Sequence, residues 1–236
     1  MSVSPPGLSI IVFAYNEAEN IAAVLSELHS WLLVHEPDAE LVIVDDGSRD
    51  DTLPRARQVL ASARAKFLRH DQNRGIGAAL KTGVRACEAP WVTFMPADGQ
   101  IEPRAIGTLR AAAGSGDDVD VVLSTYAARD DGVHRKLLSL GVRGLIWLVH
   151  GVRMRSDGPY LFRRDLFDPE QLKPDTFFLN FEFPIRVLSA GHRARNVVIE
   201  CRPRRAGHSK STGWKRIAGV GKDLIDLRLR RLREGW

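Results

Sequence analysis

Residues 90–100 read Pro-Trp-Val-Thr-Phe-Met-Pro-Ala-Asp-Gly-Gln, an apolar run that passes directly into a short polar loop. The run from Trp91 to Met95 predicts a buried strand, and Asp98 and Gln100 follow it two residues apart. An open α/β sheet places its ligand chemistry just beyond the carboxyl ends of its strands. Carboxylate and carboxamide oxygens suit Mg²⁺ or Mn²⁺, above all when a nucleotide diphosphate completes the coordination shell. The stretch therefore predicts either such a metal site or a polar turn with no ligand.

The chain before this stretch alternates apolar strands with amphipathic helices. Strands are predicted at 8–14, 40–44 and 66–69, and a helix follows each of them. Asn16 is expected to cap the first helix, and Ser48 or Asp50 the second. Short loops between alternating strands and helices imply right-handed crossovers and a mostly parallel sheet. The prediction is a single α/β domain, with a Rossmann-like central sheet flanked by helices.

Each of these three strands, and the strand at 91–95, is followed by a polar loop at the same edge of the predicted sheet. The four loops are Tyr15-Asn16-Glu17, Asp45-Asp46, Asn73-Arg74-Gly75 and Asp98-Gly99-Gln100. The acidic pair predicts either a tight turn with a helix cap or a carboxylate that accepts hydrogen bonds from a base or a ribose. Gly75 permits either a tight loop or the close approach of the backbone to a ligand. Neither a G-x-G-x-x-G motif nor a P-loop is present, so dehydrogenases and P-loop enzymes are disfavoured.

Length and composition are those of an ordinary globular domain. The 236 residues are 44% hydrophobic and 27% charged, which suits one α/β domain. Cys87 and Cys201 lie far apart without metal-type spacing, which favours a reduced, intracellular protein, and we expect it to be cytoplasmic. The start shows no secretory signal, and the most apolar helical run, 140–152, is too short to span a bilayer.

The positive charge is concentrated near the C-terminus. Residues 202–233 hold eleven Lys/Arg against two Asp, a net charge of +9, and since the whole chain carries +5 the remainder carries −4. A helix predicted over 211–236 mixes apolar and cationic residues with Trp at both ends, which is typical of a membrane interface. It is equally suited to packing on the protein body or on a second copy in a homodimer. An arginine-rich tail also suits nucleic acid, but acidic and amide loops beside the sheet argue against that partner.

Four segments in this order carry a family resemblance, namely 9–17 (Ser-Ile-Ile-Val-Phe-Ala-Tyr-Asn-Glu), 42–52 (Val-Ile-Val-Asp-Asp-Gly-Ser-Arg-Asp-Asp-Thr), 73–75 and 97–100. Together they resemble family 2 glycosyltransferases of the GT-A fold, and more narrowly polyprenyl-phosphate sugar transferases of the dolichol-phosphate mannose synthase type. The resemblance implies an inverting, metal-assisted (Mg²⁺ or Mn²⁺) transfer of a sugar from a GDP- or UDP-sugar to polyprenyl or dolichyl phosphate, at the cytoplasmic face of a membrane. It also divides the chain into a GT-A domain, 1–210, and the basic helix, 211–236. The domain has a donor half, 8–100, and an acceptor half, 101–210.

The resemblance assigns roles to individual residues of the donor half. Tyr15, Glu17 and Asp45 would contact base and ribose. Asp46 would support the loop, while Asp98 and Gln100 would hold the metal. Further donor-binding candidates are Ala14, Asn73, Gly75, Lys81, Ala97, Asp98 and Ser209. Ala14 stands where the family usually has Pro. Pro96 stands where the usual Asp-x-Asp metal motif has its first carboxylate, which is expected to lower the affinity for metal without nucleotide.

The acceptor half carries a second set of candidates. Arg204 (or Arg205), Gly207, Ser209 and Lys210 resemble the family's Arg-x-x-Gly-x-Ser-Lys signature. Such a loop suits phosphates, although it is also compatible with an exposed basic loop. Arg204 and Lys210 are predicted to be catalytic together with Asp98.

Glu182 stands where many hydroxyl-directed relatives keep a catalytic base, so it is a further catalytic candidate. The alternative function is accordingly transfer to a sugar or small-molecule hydroxyl, and another is a catalytically weak nucleotide-sugar-binding subunit. The phenylalanines at 177, 178 and 181 are expected either in the core or along a passage for a lipid chain.

Overall fold

The structure, a computed structural model, describes residues 7–114, 118–127, 132–203 and 214–235, with the backbone alone described at 132–140 and 214–220. Seven strands are present: β1 (Leu8–Ala14), β2 (Glu40–Asp45), β3 (Ala65–Arg69), β4 (Trp91–Pro96), β5 (Val121–Tyr126), β6 (Leu161–Arg163) and β7 (Ala194–Ile199). The α-helices are α1 (Ile21–His35), α2 (Thr52–Val59), α3 (Ile76–Ala86), α4 (Pro103–Ala113), α5 (Gly132–His150), α6 (Leu179–Ser189) and α7 (Trp214–Glu234). A short 3₁₀ turn, Arg164–Leu166, follows β6. No helix in these ranges is long and apolar enough to cross a membrane.

The strands form one sheet in the order β3-β2-β1-β4-β6-β5-β7. The pairs β1–β2, β1–β4, β2–β3 and β5–β7 are parallel. Among the described strands only β6 runs antiparallel to its neighbours, β4 and β5. The predicted mostly parallel α/β sheet is therefore confirmed. The antiparallel β6 enters where the regular alternation of strands and helices ends.

Side chains of the central strands are buried on both faces, as helices covering both sides of a parallel sheet require. Ile10 and Val12 of β1 pack with α1 and α4 on one face. Ile11 points to the other face and packs with α3 and α6. The continuous apolar run that predicted β1 is thus explained by this double coverage.

A buried carboxylate holds the edge of the sheet at which the parallel strands begin. Glu40, 1% exposed, accepts hydrogen bonds from the Ser9 hydroxyl and from the Glu88 backbone N–H, and its Oε2 lies 3.2 Å from Lys66 Nζ. Burial alone would raise the pKa of Glu40. The two hydrogen bonds and Lys66 outweigh burial and hold that pKa below its ordinary value. The ionised carboxylate consequently ties β1, β2 and β3 to the connection before β4.

The C-terminal helix packs on the body through one face. Leu224 and Leu227 of α7 are fully buried in a third apolar cluster with Ile146 of α5 and Ile185 of α6. Packing on the body, one of the uses that the sequence left open for this helix, is thus observed in the structure. Ile225, Leu229 and Leu232 of the same helix stay exposed.

Candidate functional site

The loops after β1 and β2 are fastened to each other by hydrogen bonds. Asn16 donates its backbone N–H to Ser48 Oγ at 2.9 Å, and its own side chain accepts the Arg49 N–H at 2.8 Å. Asn16 holds a positive φ of 52°, which asparagine tolerates better than most residues. The N-cap positions of α1 and α2 are Asn20 and Asp51, so the predicted capping by Asn16 and Ser48 is wrong, whereas Asp50 accepts the N–H of Thr52, the first residue of α2, at 3.1 Å. Asn16 and Ser48 are instead used to join two loops that are distant in sequence.

Asp45, at the end of β2, carries a buried carboxylate oxygen that no hydrogen bond from the described residues satisfies. The residue is 1% exposed, and its Oδ1 accepts the Ser48 N–H at 3.0 Å. Its Oδ2 lies 3.4 Å from Arg69 Nε but has no hydrogen-bond partner among the described residues. Buried carboxylate oxygens are normally hydrogen-bonded because desolvation is otherwise uncompensated. The geometry therefore suits a ligand that donates a hydrogen bond at this point.

Asp46 holds the loop that follows β3. Its carboxylate accepts the backbone N–H groups of Arg74 at 2.9 Å and Gly75 at 2.8 Å. The ring of His70 contacts the same carboxylate through Nδ1 at 2.7 Å and Thr82 Oγ1 through Nε2 at 2.9 Å. These contacts within the protein occupy the Asp46 carboxylate. The position of Asp46 is therefore suited to supporting the loop after β3.

A polar hollow of about 370 Å³ opens between these loops. Its lining consists of Tyr15, Gly47, Ser48, Arg49, Arg69, Asp71, Gln72 and Asn73. Gly47 has a φ of +76°, and a Cβ there would lie 2.4 Å from the backbone carbon of Gln72, so only glycine lets the two loops meet. The hollow offers an aromatic ring, two guanidinium groups and a carboxylate, a set able to bind a polar, planar ligand.

The candidates after β1 and β4 take different positions. Tyr15 lines the hollow, whereas the Glu17 carboxylate accepts a hydrogen bond from Asn20 Nδ2 at 2.7 Å at the start of α1. Ala14 and Ala97 are 3% and 1% exposed and belong to the main apolar cluster. Their side chains are core, so only their backbone is available to a ligand.

Gly75 and Lys81 both contact the segment around Asp175 of the same chain. A Cβ on Gly75, whose φ is +97°, would lie 2.7 Å from the Asp175 carbonyl oxygen. Lys81 is 7% exposed, and its ammonium lies 2.8 Å from Asp175 Oδ1 and 3.1 Å from the Lys173 carbonyl oxygen. Gly75 thus makes room for the segment around Asp175, and Lys81 fastens that segment to α3. Lys81 does not line the hollow, so its predicted contact with the donor has no geometric support.

The loop after β4 is linked to the start of the basic segment. Asp98, 6% exposed, accepts the Gln100 backbone N–H at 3.1 Å. The Gln100 carbonyl accepts the Arg202 N–H at 2.9 Å, and Gln100 Nε2 lies 3.5 Å from the Arg202 carbonyl oxygen. The guanidinium of Arg202 is held by Glu27 and Glu102. Residues 204–213, which include the candidates Arg204, Ser209 and Lys210, lie outside the described residues.

Asp98 and Gln100 fit a divalent cation as a partial shell. No group of three or more His, Cys, Asp or Glu able to hold a metal occurs in the part of the chain that the structure describes. One carboxylate and one carboxamide oxygen are hard ligands, and Mg²⁺ commonly takes one or two protein carboxylates while phosphates and water complete its shell. The chemistry of the two side chains therefore fits an ion that arrives with a diphosphate.

Glu182 does not have the geometry of a catalytic base. The residue lies in α6 and is 0% exposed. Its Oε1 lies 3.0 Å from Arg186 Nε and 3.0 Å from one Arg230 nitrogen, and its Oε2 lies 2.7 Å from the other. A general base must come within hydrogen-bond reach of the proton it removes, whereas both oxygens of Glu182 are buried and engaged by guanidinium groups. The structure thus makes Glu182 an anchor for α7 and argues against its predicted catalytic role.

Sequence reasoning missed several residues of the hollow. Arg49, Arg69 and Asp71 line it, yet none of them was a candidate site residue, although Arg49 lies within the 42–52 segment that carries the resemblance. Their position in the chain was the available signal, because Arg49 and Asp71 lie in the loops that follow β2 and β3, and Arg69 ends β3. Which of them faces the hollow depended on how the loops fold over one another.

The chain is similar to sugar transferases that act on lipid phosphates. It is 29% identical over 224 residues to undecaprenyl-phosphate 4-deoxy-4-formamido-L-arabinose transferase of Pseudomonas savastanoi pv. phaseolicola, covering 92% of this chain and 64% of that relative. It is 27% identical over 187 residues to dolichol-phosphate mannosyltransferase of Pyrococcus furiosus, covering 76% and 52%. The chain thus spans about half to two thirds of the length of these two relatives.

A solved structure shares the fold. Glucosyl-3-phosphoglycerate synthase from Mycobacterium tuberculosis, in complex with Mn²⁺, UDP and phosphoglyceric acid, superposes with a TM-score of 0.72 at 21% identity, covering 96% of this chain and 78% of that one. A second structure of the same enzyme, with Mg²⁺ and UDP, gives a TM-score of 0.71 at 20% identity. At this identity the likeness concerns the fold alone. The sequence profile of glycosyl transferase family 2 matches residues 9–170, well over half of the chain, including β1 to β4 and the loops that form the hollow, so the chain belongs to glycosyl transferase family 2.

Proposed function

We propose that the chain is an inverting glycosyltransferase that moves a sugar, as a hexosyl or related group, from a nucleotide-sugar donor to a polyprenyl phosphate. The observation that carries the proposal is the buried Asp45 Oδ2, which has no hydrogen-bond partner among the described residues. Asp45 ends β2, and its carboxylate contacts Ser48 and Arg69, two residues that line the hollow. An N–H of uracil or guanine, or a ribose hydroxyl, would satisfy this oxygen, and membership of the family supports a nucleotide-sugar ligand.

Asp98 and Gln100 would hold Mg²⁺ or Mn²⁺ together with the donor diphosphate. When bound, the ion supplies neutralisation of the negative charge on the leaving nucleoside diphosphate. The described glucosyl-3-phosphoglycerate synthase structures contain Mn²⁺ or Mg²⁺ with UDP, which supports this choice of metal and of ligand class. In this chain Asp98 is the only carboxylate of the motif, so the protein contributes a single negative charge there and depends on the diphosphate for the others.

The ionisation state of the acceptor decides whether the protein must supply a base. A phosphate monoester has a second pKa of about 6, so it is largely ionised near neutrality and needs positioning rather than a strong base. A hydroxyl acceptor would need such a base, and the candidate for that role, Glu182, is buried between two arginines. A phosphate oxygen would attack the anomeric carbon, and the bond to the diphosphate would break with inversion. The lipid-phosphate relatives support the same acceptor class.

The basic segment after β7 would balance the charges of the two phosphate groups. Arg202 is fixed beside Gln100 by Glu27 and Glu102, so the segment begins next to the proposed metal site. Arg204, Ser209 and Lys210 are proposed phosphate ligands on the strength of the signature that they form. A lipid acceptor would place the reaction at a membrane surface, and we expect this to be the cytoplasmic face.

A thermal-shift panel tests the donor site. UDP-, GDP-, TDP- and CDP-sugars are compared with and without Mg²⁺. A ligand at a hundred times its Kd stabilises by about 2.7 kcal/mol, or roughly 5–10 °C in a domain of this size. Asp45→Asn should abolish the shift. Asp98→Ala should abolish only its metal-dependent part, and Asp38→Asn on an exposed turn should leave it unchanged. No shift with any of the four donors would overturn the proposed site.

Transfer of labelled sugar tests the acceptor class. The matched acceptors are a polyprenyl phosphate and the corresponding polyprenol, which differ only in the phosphate. Product should form on the phosphate and not on the alcohol. Equal use of the alcohol, or transfer to soluble sugars with neither lipid used, would reject the lipid-phosphate assignment while leaving the donor site intact.

A further inference from the structure

Helix α7 carries two apolar faces, and the described residues cover only one of them. Leu224 and Leu227 are 0% exposed, whereas Ile225, Leu229 and Leu232 are 54%, 46% and 66% exposed. Spacings of four and three residues place the last three on one side of the helix. We call these three residues the outer stripe.

The position of α7 on the body is fixed, so the outer stripe cannot turn inward. His150 of α5 donates its Nε2–H to the Leu224 carbonyl at 3.1 Å. Arg231 donates to the His150 carbonyl at 3.2 Å and to Ser189 Oγ at 2.9 Å. Arg230 is held in the buried pair with Glu182. These contacts come from both α5 and α6, and they fix the rotation of α7 about its own axis.

Exposed apolar side chains of the described structure are concentrated on the two packed helices α5 and α7. Of the nine large hydrophobic residues that are exposed, five lie on α5 and α7. Trp147 and Leu148 of α5, 54% and 75% exposed, are within one turn of His150, the residue through which α5 contacts α7. A tryptophan near an apolar stripe is typical of a protein surface that meets the headgroup region of a bilayer.

Cationic residues border the outer stripe. With 3.6 residues per turn, Arg228 falls on one side of it and Lys222 and Arg233 fall on the other. Lys222 and Arg233 are exposed and Arg228 is half-buried. Over residues 214–235 the sequence has seven Lys/Arg against three Asp/Glu, a net charge of +4. An apolar stripe between cationic borders is complementary to a surface that is apolar below and anionic at its headgroups.

We propose that the outer stripe of α7 docks the protein on the surface of an anionic bilayer. A second copy is a poorer occupant, because pairing two such stripes would bring two cationic borders together, and like charges across an interface disfavour association. The docking surface goes beyond the proposed transfer reaction. It requires neither a nucleotide sugar nor a polyprenyl phosphate, so it is testable when the reaction is not.

Sedimentation with vesicles free of polyprenyl phosphate tests the docking surface. The protein should bind vesicles of mixed phosphatidylglycerol and phosphatidylcholine more strongly than vesicles of phosphatidylcholine alone. The double variant Leu229→Glu/Leu232→Glu should lower the partition coefficient by at least about tenfold, since it removes apolar burial and adds repulsion. The matched control is Leu33→Glu/Val34→Glu on α1, whose side chains are 61% and 75% exposed, and it should bind as the wild type does.

Two further measurements keep the result interpretable. The double variant Lys222→Gln/Arg233→Gln should lower the partition coefficient on the anionic vesicles by about fivefold or more. Its binding to neutral vesicles should be unchanged. Melting temperatures within a few degrees of wild type establish that the variants are folded. Equal binding by the α7 and α1 variants would overturn the proposal. So would a wild-type dimer in light scattering that the α7 variant converts to a monomer, with no vesicle binding by either.

Discussion

Replacement of Glu182 by Gln separates an anchoring role from a catalytic one. The Glu182 carboxylate is fully buried, and it is bound by Arg186 from its own helix and by both terminal nitrogens of Arg230 from α7. Glutamine keeps the shape and one acceptor oxygen but removes the charge that balances two guanidinium groups. The expected result is a destabilised protein whose turnover, measured while it is folded, changes by less than about tenfold.

The magnitude follows from the burial of the pair. Removing one partner of a buried ion pair costs about 3–5 kcal/mol, because the other charge stays desolvated. The side chains of Arg186 and Arg230 keep 13% and 22% exposure, so water relieves part of that cost, and we expect about 2–3 kcal/mol. In a domain of this size the melting temperature would fall by roughly 5–10 °C.

Urea unfolding and steady-state transfer are measured on Glu182→Gln, Arg230→Gln and the double variant. The double variant should be less destabilised than the sum of the singles by at least about 1 kcal/mol, since each single leaves the same contact broken. Glu170→Gln is the matched control, because that glutamate forms an exposed pair with Arg85 and should cost less than about 0.5 kcal/mol. A Glu182→Gln protein as stable as wild type but about a thousandfold slower would refute the reasoning and favour base catalysis on a hydroxyl acceptor.

Three further predictions concern the hollow, the α7 contact and the sheet edge. Gly47→Ala should destabilise the protein by more than about 2 kcal/mol in urea unfolding and weaken nucleotide binding, because Gly47 has a positive φ and lies against the Gln72 backbone. The control is Gly141→Ala in α5, where a Cβ meets nothing within 4 Å. That variant should stabilise the protein by about 0.5–1 kcal/mol. Burial of His150, with help from neighbouring arginines, lowers its pKa, so the unfolded state binds the proton first and stability falls as pH drops below about 6.5. His150→Gln should flatten that part of the pH profile, and an unchanged profile would contradict the assignment. The pKa of Glu40 is lowered, so the stability that its ionised form contributes is present above about pH 4.5 and lost as pH falls further. Glu40→Gln should be less stable at pH 7, and its unfolding free energy should depend less on pH below about 5.

The sequence alone was sufficient to predict the fold class and the edge of the sheet at which the candidate site lies. The apolar runs that became β1, β2 and β4 are buried on both faces, and a strand of that kind belongs to a parallel sheet covered by helices. Because parallel strands end at one edge, Tyr15, Asp45, Asn73 and Asp98 could be assigned to that edge from chain order. Periodicity and connection length are local properties, which is why these inferences needed no coordinates.

Tertiary contacts decided what individual polar residues do. Asn16 was expected to cap a helix, but Ser48 and Arg49 offered its backbone and side chain better-placed partners. Gly75 was open between two uses, and the close approach proved to be that of Asp175. A local pattern shows which hydrogen bonds a side chain is able to make, whereas the partner that it finds depends on distant segments folding against it.

The same distinction applies to the second half of the chain. An alternation of Leu and Arg in α7 predicted an amphipathic helix, but the pattern could not say that Leu224 and Leu227 face inward while Ile225, Leu229 and Leu232 face outward. Glu182 had the residue type and position of a base, and only its contact with Arg230, 48 residues further along the chain, shows that its charge is used inside the protein. Burial and pairing of charge are set by elements that meet only when the chain is folded, and the sequence does not encode them at any one position.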